Sequence, residues 1–384
     1  MHRRILSYGC FYLSLIFVFS HLLSLMASAK PMLADLAVPS VSAQSAVLVE
    51  STSGDIVYEK NAYLRLPMAS TTKIMTAIVA IEHADPSLMI TVSPLAVGVE
   101  GSSIYLYAGE QLSLEHLLYA LLLESANDAA TAIAIALAGS VAAFAEWMNQ
   151  KASELNLTDT HFTNPHGLND EEHFTTAADL AKLAVYCMGN ALFRQIVSTQ
   201  RMTIPLHDQE GVRLLLNHNR LLRSYEGAIG LKTGFTKKSG RCLVSAAERN
   251  GVTFIAVTLN APNDWDDHRN MLDYGFQRYS AIMLQAAGSC VRSIPVIGII
   301  PGVVTVLNER DVCVVLPREH GEITVSCEAP RWLAGNIVRG QIIGKLVWQC
   351  DGEILATEPL IAQDSISVFP PKKTLWKRLL SLFS

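Results

Sequence analysis

The chain has 384 residues, enough for two or three domains, and half of them are hydrophobic, so a large core can form. Its 30 Lys and Arg stand against 35 Asp and Glu, a net charge of −5. With no long basic run inside the chain, nucleic acid is not an expected partner.

At the N-terminus the basic His2-Arg3-Arg4 precedes an apolar run, Ile5 to Met26, and Ala27-Ser28-Ala29 supplies a small-residue cleavage site before Lys30. Residues 1–29 therefore read as an export signal. The run is as long as a membrane span, so a retained anchor is the alternative, and the small residues at its end favour cleavage. Cys10 follows a poor lipobox placed too early for a lipoprotein.

Next come two apolar-rich runs, Ser45–Glu50 and Asp55–Glu59, around the turn pair Ser53-Gly54, a hairpin signal. Ile74, Ile78 and Ile81 recur at helical spacing. This predicts a helix over Met68–Ala84, stopped by Asp85-Pro86, with Ser70 in its first turn. Leu114–Glu124 and Asp128–Ala138 read as two more helices with Ser125-Ala126-Asn127 at their joint. Helical runs near Ala142–Leu155 and Ala177–Met188 flank the turn-rich Asn164-Pro165-His166-Gly167. Ala228–Thr236, Cys242–Glu248 and Val252–Asn260 form the clearest sheet, a three-strand meander turned at Ser239-Gly240 and Asn250-Gly251. From residue 286 the helical period is lost. Val296–Ile361 holds only short β-rich runs broken by turn pairs, as in a small all-β domain.

Six cysteines follow the signal, and no C-x-x-C spacing exists, so a zinc site is not expected; no cofactor is expected either. Cys187 and Cys242 read as small buried hydrophobes. Among Cys290, Cys313, Cys327 and Cys350, spacing leaves a disulfide open.

Three short motifs carry chemistry. In Ser70-Thr71-Thr72-Lys73 a helix puts the hydroxyl and the amine on one face, where the amine can take the hydroxyl's proton. Ser125-Ala126-Asn127 offers a second hydroxyl that can pass a proton onward. Lys232-Thr233-Gly234 offers a cation for a substrate carboxylate. Singly, these read as a helix-cap serine, an interhelical turn and a solvated lysine. Together and in order they are the S-x-x-K, S-x-N, K-T-G set of active-site-serine enzymes.

With Asn164–Leu168, His173–Ala181, Gly230–Thr236, Ser239–Val244 and Leu272–Phe276, the chain resembles the low-molecular-mass penicillin-binding proteins, serine-type D-Ala-D-Ala carboxypeptidases. The resemblance implies an α+β fold. A β-lactamase/transpeptidase-like catalytic domain over residues 30–285, an antiparallel sheet plus a helical cluster, is followed by a small all-β domain over 286–368. Residues 369–384 form an amphipathic tail. It implies that Ser70 attacks the penultimate D-Ala carbonyl with Lys73 as base, and that Ser125 relays the proton to the departing amine. Asn127 binds the substrate amide or positions Lys73, and Lys232, Thr233 and Gly234 bind the terminal carboxylate. The N–H groups of Ser70 and Phe235 form the oxyanion hole, and Arg269 adds a further basic group.

The partners implied are peptidoglycan peptides ending in D-Ala-D-Ala, β-lactams as inhibitors, and the outer face of a bacterial cytoplasmic membrane. The rivals are a D,D-endopeptidase with the same site and a β-lactamase. Against the latter, no E-x-x-L-N pattern precedes Lys232, and the middle motif is Ser-Ala-Asn. A Ser-His-Asp triad from His173 and Asp179 is not expected, because no G-x-S-x-G elbow exists.

Overall fold

Asn250 and Gly251 both take left-handed φ, +50° and +77°, the backbone that closes a tight hairpin with the right twist. The computed structural model describes residues 37–206, 211–299 and 302–367. The expected signal, Cys10 and the tail over 369–384 lie outside them.

In chain order the strands of the first part are β1 (Ser45–Glu50), β2 (Ile56–Lys60), β3 (Met89–Thr91), β4 (Gln111–Ser113), β5 (Arg201–Pro205), β6 (Val212–Leu216), β7 (Ala228–Thr236), β8 (Gly240–Arg249) and β9 (Val252–Leu259). The helices longer than one turn are α1 (Lys73–His83), α2 (Leu114–Leu123), α3 (Asn127–Ala138), α4 (Val141–Glu154), α5 (Ala177–Met188), α6 (Ala191–Ser198) and α7 (Asp264–Arg278). The expected meander and the N-terminal hairpin join into one antiparallel sheet of order β2-β1-β9-β8-β7. β2 and β7 are its edges.

Strand alternation sorts the core into two layers. Val47, Val49, Val244, Ile255 and Val257 pack with the helices α1 to α6 on one face. Leu48, Leu243, Phe254 and Ala256 pack against Met271 and Leu272 of α7 on the other. α1 runs through the first layer, with Ile74, Met75, Ile78 and Val79 all fully buried. Each such side chain contributes roughly 1.5–3 kcal/mol of transfer free energy.

The start of this helix differs from expectation. Ala69–Thr72 form a 3-10 turn, and the α-helix begins only at Lys73. The hydroxyls of Thr71 and Thr72 donate to the carbonyls of Met68 (2.6 Å) and Ala69 (2.8 Å), three residues back, which tightens the turn.

After α7 the chain is all β, from β10 (Tyr279–Gln285) through β11 (Cys290–Ile297), β12 (Val303–Asn308), β13 (Val312–Pro317), β14 (Ile323–Glu328), β15 (Leu333–Ala334), β16 (Ile342–Cys350) and β17 (Glu353–Ala362). A six-stranded sheet of order β14-β16-β17-β12-β11-β15 closes over Ile294, Val306, Leu346, Trp348 and Leu360. Cys187 and Cys242 are buried, and all six described cysteines are free. Register explains why one candidate disulfide is absent. Cys350 stands opposite Ile323 on β14, four residues from Cys327, which is about 13 Å along a strand and beyond bridging range.

Candidate active site

Ser70 sits in a crowded turn. Ala69 before it is held at φ +48°, a left-handed conformation that costs a non-glycine residue about 1 kcal/mol or more. Two glycines let other segments close on the turn. At Gly167 (φ +88°) an added Cβ would lie 1.9 Å from the Ala69 carbonyl oxygen, so only glycine permits the 164–168 loop to pass there. At Gly234 a Cβ would lie 3.1 Å from the Ser70 nitrogen and 3.2 Å from the Met68 oxygen. The third residue of the K-T-G motif thus brings the backbone of β7 against the Ser70 amide.

Lys73 is fully buried. Its Nζ is 3.0 Å from Ser70 Oγ, 2.7 Å from Asn127 Oδ1 and 2.7 Å from the His166 carbonyl oxygen. The Asn127 amide is oriented by its own Nδ2, which donates to the Glu100 carbonyl at 2.5 Å. Two of the three partners are therefore acceptors only. A neutral amine has two N–H bonds and one lone pair. The N–H bonds go to Asn127 and His166, and the lone pair is left for the Ser70 hydroxyl. Burial first, then the Lys232 charge, holds the Lys73 amine well below its ordinary 10.5, with Asp128 opposing. Deprotonation and geometry therefore agree.

Ser125 also takes a left-handed φ, +60°, at the joint before α3, and lines the same cleft as Ser70. Asn127 opens α3, its backbone N–H held by the Ser102 carbonyl at 2.7 Å. The buried carboxylate of Asp128 accepts from Ser103 Oγ (2.6 Å) and the Leu106 amide (3.0 Å), fixing the loop that faces the cleft. Lys232 is buried, donates to the Thr233 carbonyl at 2.9 Å, and is lowered to about 7 by burial, with Glu124 opposing.

His173 serves the turn, not the serine. Its Nδ1 accepts from the Thr163 amide at 3.0 Å, so Nε2 carries the proton and donates to Thr72 Oγ1 at 2.8 Å. Burial pushes it down to about 4, which keeps it neutral. The Asp179 carboxylate accepts instead from the Asp159 amide and the Thr160 hydroxyl, both at 2.9 Å.

The cleft over Ser70 has a volume of about 340 Å³ and runs along the open edge of β7, where Thr233, Gly234 and the exposed Phe235 line it. Residues 32–263 match the peptidase S11 family, described as D-alanyl-D-alanine carboxypeptidase. The chain belongs to this family. Residues 279–367 match the C-terminal domain of penicillin-binding protein 5.

Among curated relatives, the D-alanyl-D-alanine carboxypeptidase DacF of Bacillus subtilis is 30% identical over 334 residues, 84% of this chain and 86% of that protein. Penicillin-binding protein 5 from Haemophilus influenzae superposes with a TM-score of 0.66 at 27% identity, over 86% of this chain and 98% of that one. The Streptomyces K15 DD-transpeptidase gives 0.58 at 32% identity, over 62% and 98%.

Within this S11 chain Ser70, Ser125, Thr233, Gly234 and Phe235 line one cleft, Lys73 joins Ser70 to Asn127 by hydrogen bonds, and the buried Lys232 lies close enough for its charge to act on Lys73. Arg269 stands apart. Its guanidinium pairs with Asp266 at 2.7 Å, one turn back on α7, and the basic groups that line the cleft are instead Arg220, Arg241 and His218. Helix rotation is the reason. Asp264 and Trp265 at the start of α7 line the cleft, and position 269 lies about 140° around the helix from 264 at 100° per residue. Sequence reasoning also missed the His166 carbonyl and Asp128. The Asn164–Leu168 stretch drew attention, but a backbone oxygen has no residue type to mark it.

Proposed function

We propose that Ser70 is acylated by peptidoglycan peptides ending in D-Ala-D-Ala, with Lys73 as base. The protein is a serine-type D-Ala-D-Ala carboxypeptidase of cell-wall synthesis and binds penicillin. The observation that carries the assignment is the 3.0 Å contact between Ser70 Oγ and a buried Lys73 amine whose other two partners are carbonyl oxygens.

The steps follow from that geometry. Lys73 takes the Ser70 proton as Oγ attacks the penultimate D-Ala carbonyl carbon. The oxyanion receives hydrogen bonds from the Ser70 and Phe235 N–H groups, consistent with β7 lying against the Ser70 amide. Ser125, which lines the same cleft, gives its hydroxyl proton to the departing D-alanine amine and regains one from the protonated Lys73. Water then hydrolyses the acyl ester.

The test is release of D-alanine from a pentapeptide ending in D-Ala-D-Ala. Penicillin is expected to acylate the same serine and leave slowly, because the chain lacks the glutamate pattern of fast deacylation. Many penicillin turnovers per second with the peptide untouched would favour a β-lactamase, which the family match does not.

The proposed location is the outer face of a bacterial cytoplasmic membrane. The signal-like residues 1–29 and the tail support this reading. In the tail, Leu375, Trp376, Leu379, Leu380, Leu382 and Phe383 share one side at helical spacing, with Lys372, Lys373, Lys377 and Arg378 beside them. Among the described residues, no single helix is long and apolar enough to cross a membrane. Deleting Lys372–Ser384 is expected to move the signal-cleaved protein into the soluble fraction with peptide hydrolysis unchanged. A truncated protein that stays as firmly bound would assign the anchor to the N-terminal segment.

A further inference from the structure

We propose that Arg241 reads the substrate's terminal carboxylate, with Asp264 as its positioning residue, an inference that rests on the carboxypeptidase reading above. The starting point is where the cleft's charge lies. Side chains alternate along β7, so Lys232 and Thr233 point to opposite faces. Lys232 is buried, it gives one of its N–H bonds to the Thr233 carbonyl, and it is not among the side chains that line the cleft. Its proton is also only partly retained at neutral pH. A carboxylate that arrives beside Thr233 is therefore met more fully by a permanent cation from another segment.

Arg241 meets this need by register. On β8 it stands directly opposite Phe235, and Leu243 stands opposite Thr233. Arg241, Phe235 and Thr233 thus share one face of the sheet, with Arg241 diagonal to Thr233 and within reach for a long side chain. The guanidinium is held at one corner. Its Nε donates to Asp264 Oδ1 at 2.9 Å, and the Asp264 side chain is only 4% exposed while that of Arg241 is 42% exposed. That hydrogen bond is the guanidinium's only one among the described residues, so both Nη groups remain for a ligand.

The Trp265 ring lies 5.8 Å from the Arg241 guanidinium and 5.9 Å from that of Arg220, which steadies the plane. Two guanidiniums against one carboxylate leave a net positive charge at this end of the cleft. The other basic residue there, His218, is paired with Glu124. A fork anchored at Nε and open at both Nη atoms fits the two oxygens of a carboxylate, and an ammonium could not hold both Asp264 and the ligand in that way.

The experiment compares kcat/KM for a peptide ending in D-Ala-D-Ala as the free acid and as its C-terminal amide. In the native enzyme the acid is preferred. In Arg241→Gln the acid-to-amide ratio is expected to fall about tenfold to hundredfold, through a higher KM for the acid. Arg241→Lys is expected to lose several-fold, and it decides the matter if the glutamine variant does not fold. Asp264→Asn is expected to raise KM for the acid while kcat stays close to native. A full native preference in the Arg241 variants overturns the inference and leaves the carboxypeptidase reading standing. A native enzyme that releases nothing from either peptide overturns both.

Discussion

A Ser70→Ala enzyme is expected to take up no labelled penicillin and to release no D-alanine, a loss of about ten-thousand-fold or more in turnover. Among the described residues, Ser70 is the one hydroxyl hydrogen-bonded to the buried Lys73 amine, and its backbone N–H lies against β7. No other side chain in the cleft has both. Ser125 lines the cleft, but Lys73 makes its three bonds to Ser70, Asn127 and His166. Removing Oγ leaves Lys73 with its two carbonyl acceptors, so the variant keeps its fold and its melting point stays close to native. Mass mapping of the adduct in the native enzyme checks the assignment, and a penicilloyl group on any other residue would sink it.

Lys73→Arg is expected to lose acylation by about a thousandfold or more. A guanidinium does not give up its proton in the working pH range, so it cannot serve as base. It also brings extra atoms to a site where Lys73 is fully buried. The pH profile provides an independent check. Burial and Lys232 hold the Lys73 amine well below 10.5, and Lys232 itself titrates at about 7. The base works when deprotonated, so acylation by the native enzyme is expected to rise with pH and to level off well below the ordinary 10.5 of a lysine. The two lysines interact, so the apparent values belong to the pair. Lys232→Arg fixes the second charge, leaves Lys73 able to deprotonate, and is expected to slow acylation only moderately. Near-normal acylation by Lys73→Arg would remove the general-base role.

The sheet and the helices were legible where local chemistry and tertiary packing agree. Asn250-Gly251 specifies a hairpin by itself, and Ile74, Ile78 and Ile81 recur at the helical period in a helix packed among the other helices. α7 was not anticipated, although Asp264, Asp266 and Asp267 in its first turn and Met271 and Leu272 at its core face were available signals. The hairpin of β5 and β6 was missed as well, since Val212, Leu214 and Leu216 are exposed and show no inward pattern.

At the site, the three motifs named Ser70, Lys73, Ser125 and Thr233 because these are side chains of fixed type at fixed spacing. What holds them was hidden. The His166 carbonyl has no residue signature, and the need for glycine at 167 and 234 comes from segments remote in sequence. The choice between Arg269 and Arg241 depends on helix rotation and strand register, which no count of basic residues contains.

The bonds of Lys73 have one more consequence. They tie α1 to the first residue of α3 and to the 164–168 loop, and β7 must also be seated before the Ser70 amide is covered. No fragment of the chain holds all four stretches unless it spans residues 70 to 235. A penicillin adduct on Ser70 is therefore a census of molecules in which distant parts of the catalytic region have met. It counts native protein rather than serine, and a chain arrested partway through folding or export would go uncounted.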